Sequence, residues 1–254
     1  MLCVLSACTL IHSPESRRGT AEQIAAAAGF ESRVIDTGEF AIQTWHHARL
    51  RGQRHLEIYI EGDGLAWRRK NRLSDNPTPV DPVALRLAGN SGSPAALYLA
   101  RPCQYSDDIN VKRCHAELWS SDRYSERVVA AMNSVVDHYV RSSGADSLSL
   151  IGYSGGGVIA ALLAARRADV RELITVAANL DHRAWTAMHR VSPLDGSMNP
   201  PDHASELRTI PQRHFVGEND RIVTAAVLRS YLEQLGLEPD RHLHVIAGAD
   251  HDCC

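Results

Sequence analysis

No stretch of this 254-residue chain approaches the roughly 18 consecutive apolar residues that a membrane-spanning helix needs. An excess of one charge is also missing. There are 27 Lys and Arg against 30 Asp and Glu, a formal net charge of −3, which leaves no electrostatic footprint for nucleic acid. Aromatics are scarce at 6%, so no stacking platform for a sugar or a polymer chain is expected. No Cys-x-x-Cys and no Cys/His spacing suggests zinc. Neither a metal nor an organic cofactor is expected. Internal repeats and low-complexity linkers are lacking too. The length suits one substantial core and is short for two independent enzymatic domains.

The one dense basic run, Arg68-Arg69-Lys70-Asn71-Arg72, reads as a solvated loop, with a substrate or membrane-surface contact as the other reading. Six cysteines are present: Cys3, Cys8, Cys103, Cys114, Cys253 and Cys254. Cys103 and Cys114 flank a polar loop, which a local disulfide would stiffen in an oxidising compartment. Cys253 and Cys254 are adjacent. A bridge between neighbours is geometrically awkward, so pairing elsewhere or two free thiols is expected there.

Apolar runs alternate with longer helical ones. This predicts an α/β chain, a mostly parallel sheet with helices on both faces. Thr20-Ala21-Glu22-Gln23 is a capping-box pattern that predicts a short helix stopped by Gly29. Residues 33–36 and 40–45 read as a hairpin around Gly38. Asp81-Pro82 predicts a helix start with Asp as cap. Apolar residues recur at helical spacing between about 122 and 141, from Val128 to Tyr139. Strands are expected at 56–60, 96–99, 148–153, 173–177, 214–216 and 244–246. A helix is expected near 222–235. Residues 181–211, rich in Pro, Asp and Ser, are long for a connection and read as a small cap beside the site. The organisation predicted is a leader-like segment at 1–18 and a single domain at 19–254.

Gly152-Tyr153-Ser154-Gly155-Gly156 carries the strongest chemical signal. A strand runs straight into it and an apolar helix follows. Such a turn holds the serine hydroxyl out at the carboxyl edge of the sheet. Gly152 and Gly156 let the chain pass itself closely. Serine needs a base. His251 follows the last predicted strand and Asp220 the one before it, on the same edge as Ser154. Asp181 is the chief rival for the acid, with Glu218 and Asp250 behind it. His214, His242 and His244 are expected to lie in strands with structural roles.

Together these motifs resemble the α/β-hydrolase superfamily over roughly residues 33–252. Residues 59–67, Tyr-Ile-Glu-Gly-Asp-Gly-Leu-Ala-Trp, resemble the His-Gly-Gly-Gly-type loop of lipases and esterases, with Glu61 in place of the His and Asp63 where glycine is frequent. The resemblance implies a Ser154–His251–Asp220 triad and oxyanion donors from the backbone N–H groups of Asp63 and Gly155. The implied activity is hydrolysis of a small-molecule carboxylic ester through an acyl-enzyme. An acyltransferase or peptidase using the same triad, or a non-catalytic binding member of the fold, are the alternatives. The oligomeric state is not indicated. Separately, Leu5-Ser6-Ala7-Cys8 resembles the bacterial lipobox, which implies a lipidated Cys8 and attachment to the cell envelope. No basic region precedes it and the apolar segment is short, as a start set too late in the reading frame would leave it. A cytoplasmic chain is the alternative.

Overall fold

Short β-rich runs make ten strands among the residues described by the computed structural model, which are 13–69, 71–105 and 113–252. They are β1 (Phe30–Asp36), β2 (Ala41–His47), β3 (His55–Ile60), β4 (Trp67–Arg69), β5 (Arg72–Leu73), β6 (Ala96–Leu99), β7 (Ser147–Tyr153), β8 (Val170–Val176), β9 (Gln212–Gly217) and β10 (Leu243–Ile246). Eight of them form one sheet in the order β1-β2-β6-β3-β7-β8-β9-β10. From β6 to β10 every pairing is parallel, and β2 is antiparallel to both its neighbours. The β1–β2 hairpin turns at Gly38, whose φ of +83° suits glycine. The mostly parallel α/β sheet expected from the sequence is therefore present.

The central strands alternate between two apolar cores, as a period of two dictates. Leu56, Ile58 and Ile60 of β3 and Leu148 and Leu150 of β7 join one core. Tyr59, Ile151 and Tyr153 join the other. The first core is closed by three helices: α3 (Glu126–Ser143), α4 (Gly155–Ala164) and α7 (Ala225–Leu235). The second is closed by α1 (Pro14–Ala27) and α2 (Val83–Asn90). Glycine in the left-handed region ends α3 at Gly144 and α7 at Gly236. All ten residues of α4 are buried, in keeping with its apolar sequence on every side.

Several expectations need correction. Helix α1 begins at Pro14 with Ser13 as cap, not at Thr20. Proline at the first turn sets φ for the helix, and the Thr20 hydroxyl instead bonds back to the Ser16 carbonyl. The expected boundary between residues 18 and 19 thus falls inside a helix whose Arg17 is buried. Pro82, not Asp81, caps α2, and the Asp81 carboxylate pairs with Arg86. The basic run is not a plain loop: Arg69 and Arg72 face each other across the β4–β5 hairpin, and Arg68 pairs with Asp75 at 3.4 Å. His242 closes the short helix α8 (Pro239–His242) rather than lying in β10, and bonds the Gln212 carbonyl.

Cys103 and Cys114 form the disulfide that the spacing suggested. Cys3, Cys8, Cys253 and Cys254 lie outside the described residues. Residues 181–211 fold into α5 (His182–His189), a 3₁₀ turn at Pro200–His203 and α6 (Ala204–Leu207), anchored by buried Leu194, Pro200 and Leu207. No described helix is long and apolar enough to cross a membrane.

Candidate active site

At the carboxyl end of β7 the chain reverses into α4 through Ser154, which has φ +49° and ψ −124°. For a residue with a side chain this is a strained conformation. It is held by packing. The Ser154 N–H bonds the Val176 carbonyl at 2.8 Å. A Cβ on Gly152 would stand 2.4 Å from the Gly157 Cα, and one on Gly156 would stand 2.2 Å from the Ile60 carbonyl oxygen. Only glycine fits at either place, which is why the elbow needs both.

The loops after β9 and β10 are stitched together on the same edge. Glu218 N–H bonds the Ile246 carbonyl, Asn219 N–H bonds the Ala249 carbonyl, and Gly248 N–H bonds the Glu218 carboxylate. A Cβ on Gly217 would meet the Ala249 carbonyl oxygen at 2.5 Å. This close approach brings Asp220 and His251 together. His251 Nδ1 lies 2.8 Å from Asp220 Oδ2, and His251 Nε2 lies 3.2 Å from Ser154 Oγ. The other Asp220 oxygen accepts N–H bonds from Ile222 and Val223, both at 2.8 Å. With its side chain fully buried, the acid has a fixed direction. Tyr153 donates its hydroxyl to the His251 carbonyl at 3.1 Å.

The rival acids are occupied elsewhere. Asp181 caps α5 through Ala184 N–H and accepts from Asn199, Ser230 and Gln234. Burial raises its pKa, but those donors together hold it below the usual carboxylate range. Glu218 accepts from Gly248 and Asp250 from Asp252. His214 is buried in β9 between Thr175 and Gln212, and burial pushes it down to about 3, so it stays neutral.

The turn after β3 passes beside the serine. A Cβ on Gly62 would lie 3.3 Å from Ser154 Cβ, and one on Gly155 would lie 2.1 Å from Asp63 Oδ1. Among the described residues no acceptor faces the N–H of Asp63 or of Gly155, the latter being a first-turn helix donor. Both carboxylates of the turn are directed at donors. Glu61 accepts from Gly62 N–H and from the Tyr98 hydroxyl. Full burial drives its pKa up to about 7. Asp63 accepts from Arg101 at 3.3 Å, Arg123 at 2.6 Å and Tyr124 at 3.2 Å. Burial works to raise its pKa, and the guanidiniums of Arg123 and Arg101 outweigh that and hold it low.

A cleft of about 550 Å³ is lined by Ser154 and His251 together with Leu65, Trp67, Val80, Trp185 and Ile222. Trp185 comes from α5, so the 181–211 segment supplies one wall. Its indole N–H bonds the Ile222 carbonyl at 2.6 Å. No cluster of His, Cys, Asp or Glu able to hold a metal occurs among the described residues.

The sequence brought Ser154, Asp220, His251, Asp63 and Gly155 into view, and the fold sets them side by side. It missed Arg101, Arg123, Tyr124 and Asn179, the last of which accepts from the Tyr124 hydroxyl. Arg101 stands just past the carboxyl end of β6, on the site's edge of the sheet, and that placement was a usable signal.

No protein-family description and no curated protein sequence matches the chain. Solved structures do. An esterase of Pyrococcus furiosus aligns over 88% of this chain and 84% of its own, with a TM-score of 0.55 at 10% identity. Est1E of Butyrivibrio proteoclasticus aligns over 87% and 90%, with a TM-score of 0.56 at 14% identity. An alpha-beta serine hydrolase homologue from Coxiella burnetii aligns over 87% and 88%, with a TM-score of 0.55 at 16% identity. With the strand order, the parallel centre and the elbow between β7 and α4, these likenesses establish that the chain has the α/β-hydrolase fold.

Proposed function

We propose that the protein is a serine hydrolase that cleaves a small carboxylic ester. The observation that carries this reading is the continuous hydrogen-bonded line from Ser154 Oγ through the His251 imidazole to Asp220. Ser154 Oγ attacks the ester carbonyl while His251 Nε2 takes the hydroxyl proton. Asp220 keeps the proton of Nδ1 on its own side, leaving Nε2 free to accept. The carbonyl oxygen gains negative charge and is held by the N–H groups of Asp63 and Gly155. As the tetrahedral adduct collapses, the alcohol leaves with the proton from His251. A water then gives a proton to His251 and attacks the acyl-serine carbonyl; as that adduct collapses His251 returns the proton to Ser154 Oγ, and the carboxylic acid departs.

The apolar walls of the cleft favour an uncharged acyl or alcohol group of modest size. The Cys103–Cys114 disulfide supports work in an oxidising compartment, consistent with the envelope location that the Cys8 motif suggests. The test is a panel of p-nitrophenyl esters of rising acyl length. Turnover that disappears in Ser154→Ala is expected. A folded wild-type protein inert to every ester would overturn the reading.

A further inference from the structure

The Asp63 carboxylate has no place in the chemistry just described, yet it is among the most heavily anchored groups near the site. Arg123 Nη1 and Arg101 Nη1 each bond one of its oxygens, and the Tyr124 hydroxyl bonds it as well. Both arginine side chains are less than a tenth exposed. The guanidiniums are themselves fixed: Arg123 Nε bonds the Ser120 carbonyl, and Arg101 Nη2 bonds the Arg123 carbonyl. The same segment holds the turn's backbone. Gln104 Nε2 donates to the Gly62 carbonyl at 2.9 Å, and Gln104 Oε1 accepts from Arg101 N–H at 2.9 Å. The carboxylate also fills the space a Cβ on Gly155 would need, 2.1 Å from Oδ1. Burying one carboxylate with two guanidiniums costs desolvation that a plain apolar contact would not. Anchors therefore come from both sides of one peptide unit, the one whose N–H has no acceptor among the described residues.

We propose that Asp63, clamped between Arg101 and Arg123, is a positioning residue. Through it the two arginines fix the Gly62–Asp63 peptide so that its N–H meets the oxygen of the substrate carbonyl in the transition state. This inference rests on the serine-hydrolase reading. A clamp of this kind acts on kcat more than on KM, because the oxygen calls on that donor only as charge develops. It also explains how an acidic residue is accommodated beside a developing oxyanion: its charge is more than matched by two buried cations.

The experiment compares purified full-length wild type, Asp63→Asn, Arg123→Gln and Arg123→Lys on a short p-nitrophenyl ester, with folding checked by circular dichroism. Asp63→Asn and Arg123→Gln are expected to lose about 10- to 100-fold in kcat, with KM moving less than about threefold. Arg123→Lys keeps a cation near Asp63 and is expected to recover part of the loss. Arg167→Gln serves as the structural control. Arg167 is a partly buried arginine paired with Asp137 and Asp169 away from the site. This variant is expected to lower Tm and keep kcat. If Asp63→Asn fails to fold, the Arg123 pair decides alone. A wild type that turns over ester, with folded variants keeping kcat within about twofold, overturns the clamp and leaves the hydrolase reading standing. Losses in proportion to Tm, matched by Arg167→Gln, overturn it as well. A wild type inert to the ester overturns both.

Discussion

His251 Nδ1 stands 2.8 Å from Asp220 Oδ2, while the opposite oxygen of that carboxylate is occupied by two backbone N–H groups. The acid is therefore fixed before it meets the imidazole, and the imidazole has one orientation in which Nε2 faces Ser154. Asp220→Asn preserves the shape and removes the acceptor that selects the tautomer. On the order of 10⁴-fold loss in kcat is expected, measured by ester turnover with the variant's Tm recorded beside it.

Asp181→Asn is the matching control. Its carboxylate serves four donors in the packing of α5 against α7. The variant is expected to lose about 1–3 kcal/mol of stability, seen in chemical denaturation, and to keep kcat. The opposite pattern between these two aspartates would reassign the acid.

The elbow glycines make a sharper stability prediction. In Gly156→Ala the new Cβ would stand 2.2 Å from the Ile60 carbonyl oxygen and 2.5 Å from that of Glu61. Backbone atoms on a central strand cannot yield as a side chain can. A loss above about 2 kcal/mol is expected, or no soluble protein. A Gly156→Ala variant with wild-type Tm would contradict the described path of the turn.

Glu61 predicts a pH dependence of stability. Burial raises its pKa from near 4.5 to about 7, with Tyr98, Tyr105, Tyr153 and Asp81 as its titratable neighbours. Between those values the folded state binds more protons than the unfolded one, so stability falls as pH rises. The contribution is complete below about 4.5 and gone above about 7. Glu61→Gln holds the neutral form at every pH. The Tm difference between variant and wild type is expected to move in the variant's favour from pH 4.5 to 7 and then level off, followed by differential scanning calorimetry. A pH-independent difference would mean that Glu61 stays ionised.

The Cys103–Cys114 bridge closes a short loop, 11 residues in separation, next to Arg101 and Gln104. Cys103→Ser with Cys114→Ser is expected to lower stability by about 2–3 kcal/mol, measured by denaturant titration against the wild type, both without reductant.

The sequence disclosed the site because its chemistry lies at strand ends. Ser154 follows β7, Asp220 follows β9 and His251 follows β10, each beside a glycine that the turn requires. A local pattern of apolar run, glycine and polar residue is enough to find such positions. The clamp on Asp63 was hidden because Arg101 and Arg123 lie 38 and 60 residues away in sequence; the place of Arg101 just past β6 marks it as near the site, but nothing local ties it to Asp63. The start of α1 was misjudged for a different reason. The helix starts earlier, at Ser13-Pro14, where proline suits the first turn, and the added length buries Arg17 against the Thr78 carbonyl.

The most direct measurement is peptide mapping by mass spectrometry after reaction with a fluorophosphonate. A Ser154–His251–Asp220 triad predicts one phosphonyl adduct, on the peptide bearing Ser154, slowed severely in His251→Ala and absent in Ser154→Ala. A folded protein that takes up no adduct, or takes it up on another serine, would contradict it.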